Sequence, residues 1–130
     1  MIKQDYLIRM IQEIISLIVN AILNKKKIRQ KEWTEYDGLT QQILGFPAKE
    51  LLNMSTQELI GRYDKDSDKT SKIELAAMNM LKLAEDIEDN ILLKSRLRQD
   101  GLQLLKYVQK EDGAYSLQRE YVIKLLETNK

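Results

Sequence analysis

The 130-residue chain contains no cysteine and no histidine. Without cysteine there is no disulfide, no thiolate nucleophile and no thiolate metal site, a usage compatible with a reducing compartment. Without histidine the commonest metal ligand is missing, together with the only side chain whose unperturbed pKa lies near neutrality. Every nucleophile built on a Ser/His or Cys/His pair is excluded with it. Proline occurs once, at Pro47, and glycine five times, too little punctuation for a sandwich or barrel that turns roughly every ten residues. An excess of one charge is lacking too. Lysine and arginine total 21 against 20 aspartates and glutamates, a net charge of +1, so no global field steers polyanions to this chain. No Gly-rich phosphate loop and no nucleophile elbow occurs,.

What remains is helical periodicity in a chain long enough for one domain, residues 1–130,. The stretch DYLIRMIQEIISLIVNAILNKKK predicts a first helix over 2–24. Asp5, Arg9, Gln12, Glu13, Ser16 and Asn20 fall on one narrow polar strip, and apolar residues cover the rest of its circumference,. Such a helix requires neighbours on both sides and is expected at the centre of the fold. Lys25, Lys26 and Lys27 follow where the negative end of the helix dipole favours cations,. A second helix is expected over 28–44, with Trp33, Tyr36, Leu39, Ile43 and Leu44 on one face and Gly45 as its stop,. Pro47 opens a short helix over 48–53,. Ser55 with Glu58 forms a capping-box pattern ahead of another, 56–63,. The polar run 64–70 reads as a loop, and Ser71 with Glu74 as a second capping box opening a helix over 72–88,. Asp89 and Asn90 break the pattern before a helix over 92–111, because an unbroken helix to Asp112 would be too long for a compact domain. Ser116 is placed to cap a last helix, 117–127, with Tyr121, Val122, Leu125 and Leu126 as its buried side.

The opening Gln4-Asp5-Tyr6-Leu7-Ile8-Arg9-Met10-Ile11, the pair of short helices after Gly45, Leu75-Ala76-Ala77, Leu104-Leu105 and Tyr121-Val122-Ile123 together resemble an uncharacterised bacterial all-helical family. That resemblance spans nearly the whole chain. It implies a tetratricopeptide-like fold of antiparallel helix hairpins packed on a long first helix, and brings no activity with it. The chain departs from a regular 34-residue repeat, lacking its tryptophan, leucine, glycine and tyrosine spacing, and has no internal copy of any segment. Small residues at Ala77, Ala84 and Gly101 would let paired helices approach closely.

Several patterns invite a sharper chemistry and fall short of it. As an export signal the first helix is interrupted by Asp5, Arg9, Gln12 and Glu13 and offers no small-residue cleavage site,. The same charges count against a membrane span. Peripheral membrane binding has its two ingredients, an amphipathic helix beside the cations Lys25, Lys26, Lys27, Arg29 and Lys31, but the apolar arc is wider than an interfacial helix uses. Asp64, Asp66 and Asp68 make a D-x-D-x-D string, yet a calcium loop requires glycine and glutamate where Lys69 and Leu75 stand,. The basic run 25–31 could touch phosphates with Trp33 and Tyr36 as stacking surfaces; Glu32, Glu35 and Asp37 then break it. The pairs Asp86 with Asp89 and Glu85 with Glu88 are expected as solvent-facing charge,.

The reading that results is an all-α helical bundle working as a non-catalytic, protein-binding interaction module in the cytoplasm. Its expected partner is another protein or a second copy of itself. Neither cofactor, metal nor nucleic acid is expected. The alternatives are a membrane-surface protein acting through helix 1 and residues 25–31, and a small-molecule binder with a pocket where Trp33, Tyr36, Phe46 and Tyr63 converge.

Overall fold

In the computed structural model, residues 4–128 are described, so the expected helix start at Ile2 lies outside them. Every regular element among these residues is helical: α1 (Gln4–Leu23), α2 (Gln30–Leu44), a 3₁₀ turn (Ala48–Asn53), α3 (Thr56–Arg62), α4 (Lys69–Asp86), α5 (Ile91–Glu111) and α6 (Leu117–Thr128).

Helix boundaries are set by residues that satisfy terminal backbone groups. Gly45 adopts φ 91° and its amide donates to the Gln41 carbonyl, closing α2. Ser55 and Glu58 form the reciprocal capping box that starts α3,. The Asn90 side chain accepts from the Leu93 amide at 3.0 Å and starts α5. Ser116 Oγ accepts from the Arg119 amide at 3.2 Å and starts α6. The capping box expected at Ser71 and Glu74 does not form. α4 begins earlier, at Lys69, preceded by Asp68, and Glu74 is turned instead toward Arg119, 3.3 Å away.

The helix at the centre is α4 and not the expected α1. It packs against α1, α2, the 3₁₀ turn, α3 and α5, whereas α1 touches α4, α2 and α6. Every residue from Leu75 to Leu81 is buried, Asn79 included. The Asn79 side chain donates to the Leu75 carbonyl one turn earlier, at 2.9 Å, which satisfies its amide inside the core,. α1 lies along one side of α4, burying Met10, Ile11, Ile14, Ile15, Ile18 and Val19 and leaving Asp5, Arg9, Gln12, Glu13 and Asn20 in solvent. By length and composition α1 could cross a membrane.

The tightest approach is between α4 and α5, at Gly101. A Cβ there would meet Leu81 Cδ2 at 2.8 Å and the Ala77 carbonyl oxygen at 3.3 Å. α6 is rotated from its expected orientation. Val122 is buried as expected, but Tyr121 is 51% exposed, and Arg119 and Ile123 face inward. The reason is the Arg119 guanidinium, which reaches Glu74 and Asp112 as ion pairs and donates to Gln109 Oε1 and the Ala114 carbonyl. Four partners on one face fix which side of α6 turns in.

Candidate functional site

A concavity opens where the end of α1, the start of α2 and the ends of α4 and α6 meet the first half of α5. α1 terminates with Lys25 at φ 52°, a left-handed conformation in a residue other than glycine. The Lys26 amide donates to Ala21 O and the Lys25 amide to Ile22 O, a Schellman-type reversal. This turns the chain across the end of a cleft of about 600 Å³. Ile18, Ala21 and Ile22 of α1, Ile28, Trp33 of α2 and Leu125 of α6 supply its apolar wall. Lys25, Lys26, Lys27, Lys82 and Arg98 supply cations, and Glu85 and Asp86 the carboxylates.

A second hollow of about 500 Å³ adjoins it, sharing Ile22, Glu85, Arg98 and Leu125. Ile91, Lys94, Ser95 and Leu102 of α5, with Leu81 and Leu126, complete it. The two form one groove with an apolar floor, divided by a ridge of shared residues.

Its charges are partly committed. Lys82 lies 3.1 Å from Asp86 and 4.3 Å from the Trp33 ring centroid, which holds the indole in the wall by a cation–π contact. Arg98 lies 3.2 Å from Glu85, crossing from α5 to α4. Lys27 reaches Glu88 at 3.7 Å with both side chains largely in water, a contact of little energetic weight. The carboxylates Glu85, Asp86 and Glu88 are therefore exposed charge paired with cations.

Of the four aromatic residues expected to converge, only Trp33 lines the cleft. Tyr36 is half-buried one turn further along α2. Phe46 and Tyr63 are core residues on the side of α3. Arg62 covers the Phe46 ring at 4.7 Å, and Lys72 lies 5.7 Å from the Tyr63 centroid. The Tyr63 hydroxyl donates to the Leu44 carbonyl at 2.7 Å, and burial pushes its pKa up to about 12, against the pull of Arg62. Tyr63 thus ties α3 to the end of α2.

The aspartate string is organised around a side chain. Lys72 Nζ lies 2.9 Å from Asp66 and 3.5 Å from Asp68, so its ammonium sits between the carboxylates. Burial opposes the Lys72 charge, but the two aspartates outweigh it and hold its pKa above the usual value. Among the described residues no group of three or more acidic side chains is arranged to hold a metal ion.

The contribution of α5 and α6 to the groove was missed at the level of sequence. One signal is present in the sequence: Ile91 and Leu92, 81% and 84% exposed, are two large apolar neighbours in the first turn of α5, directly after the Asn90 cap. No family model, no curated protein and no solved structure matches the chain.

Proposed function

We propose that this chain is a non-catalytic interaction module whose working face is the groove between α1, α2, α4, α5 and α6. The observation that carries this reading is the combination of an apolar floor, Ile18, Ile22, Leu102 and Leu125, with a rim on which cations outnumber carboxylates. Concave faces between packed helices are a common place for a partner segment to lodge. The two carboxylates that line the groove, Asp86 and Glu85, are paired with Lys82 and Arg98 and are not the acid and base of divergent environment that proton-transfer chemistry uses.

Photo-crosslinking in cells tests the assignment. A photoreactive residue at Ser95 or Gln99, both exposed in the second hollow, should give a protein adduct that Leu102→Glu abolishes. The same residue at Gln57, on the outside of α3, should not. Equal adducts from Gln57, or none from the groove positions, would remove the groove from consideration.

A further inference from the structure

Resting on the groove as the working face, we infer that its occupant is an acidic amphipathic helix of a protein partner, with one apolar side chain in each hollow and carboxylates against Lys25, Lys26 and Lys94. Three observations point to this occupant.

The first is the division of the groove. The two hollows share a ridge of Ile22, Leu125 and the Arg98–Glu85 pair. A compact small molecule fills one hollow and leaves the other wet. A helix presents apolar side chains on one stripe at successive turns, so that two of them can enter adjoining hollows at once. The second is exposed apolar surface at the lip of the second hollow, which Ile91 lines and Leu92 extends. Ile91, at the far lip, is 81% exposed, and its neighbour Leu92 is 84% exposed. A ligand confined to the cavities leaves Leu92 in water, whereas a helix running along the groove and over its lip covers it.

The third is charge. Across both hollows six cations face two carboxylates, Glu85 and Asp86, and those two are engaged by Arg98 and Lys82. Lys25 and Lys26 have no ion pair among the described residues, and the Lys94 ammonium donates to the Ile87 carbonyl, at 3.4 Å. The chain as a whole is almost neutral, so this local excess of cations is a property of the groove. It favours a partner carrying carboxylates beside its apolar stripe and disfavours a basic one.

Fluorescence anisotropy with synthetic helical peptides decides the matter. The probe carries leucines at every third or fourth position and glutamates on both flanks; one control replaces the glutamates with lysines, another the leucines with serines. The acidic peptide should bind at least about tenfold more tightly than either control, and raising the salt concentration several-fold should weaken it by about fivefold. Lys25→Glu with Lys26→Glu should weaken it about tenfold. Both positions are exposed, and an unchanged circular dichroism spectrum verifies that the variant folds. Acidic and lysine peptides of equal affinity would overturn the proposal. So would pelleting with phosphatidylglycerol vesicles in the absence of peptide binding, which would assign the cations to a lipid surface. Self-association that Leu102→Glu abolishes, again without peptide binding, would assign the groove to a second copy. In either case groove-specific crosslinks from Ser95 would leave the working face standing and remove only this occupant.

Discussion

The Arg119 guanidinium lies 3.3 Å from the Glu74 carboxylate, joining the last helix to the central one, and Arg119 is only 2% exposed. Asp112 approaches the same nitrogen at 3.5 Å, and Gln109 and the Ala114 carbonyl accept from the remaining donors. Replacing Arg119 with methionine keeps the apolar stem and strands Glu74 without its cation. Loss of one partner of a buried pair should lower unfolding stability by about 3 kcal/mol. Urea denaturation should show the loss, and adding Glu74→Gln should recover more than half of it.

Glu74 also predicts a pH dependence. Burial raises its pKa above the ordinary value, with Arg119 pulling it down and Asp112 pushing it up. A carboxyl whose folded pKa exceeds its unfolded one binds its proton more tightly in the folded state. Its contribution is therefore most favourable below the unfolded value and diminishes as pH rises through the folded one. Between pH 4 and 7, stability of the native chain minus that of Glu74→Gln should fall with rising pH. Parallel profiles of the two denaturation midpoints would contradict this.

Lys25 stands where glycine is the favoured residue. Its φ of 52° places it in the left-handed region, which costs a residue with a Cβ about 1 kcal/mol. Lys25→Gly should accordingly raise the thermal midpoint while weakening the acidic peptide. A stabilising substitution that reduces binding would mark this position as strained in favour of its charge.

Two glycines should respond oppositely to alanine. Gly38 in α2 has nothing within 4 Å of an added Cβ, so Gly38→Ala should stabilise by about 0.5–1 kcal/mol through helix propensity. Gly101→Ala gains the same propensity but drives a Cβ to 2.8 Å from Leu81 and 3.3 Å from the backbone of Ala77. Overpacking of this kind costs about 1–3 kcal/mol, so the net effect should be destabilising. Thermal unfolding of the two variants side by side reads the sign.

Much of the chain was legible from local chemistry. Gly45, Ser55 with Glu58, Asn90 and Ser116 mark helix ends where they were expected, because capping depends on a few adjacent residues. Gly101 is a point of close approach, as a small residue on a helix face implies. The rotation of α6 was not legible. Its wheel allows Tyr121 or Arg119 inward, and the choice lies with Glu74, 45 residues earlier in the chain, which a helical wheel does not see.

The sequence by itself determined an all-helical chain, its breaks, and the absence of thiol and imidazole chemistry, since periodicity, caps and composition are properties of residues near one another. Tertiary structure alone decided that α4 and not the greasier α1 lies at the centre, and that Lys25, Lys94 and Leu125 share one groove. Which helix is surrounded depends on how many others pack on it, and no single helix's hydrophobicity encodes that number. The groove follows from the same cause: its walls are ends of helices far apart in the chain, brought together only when the core closes.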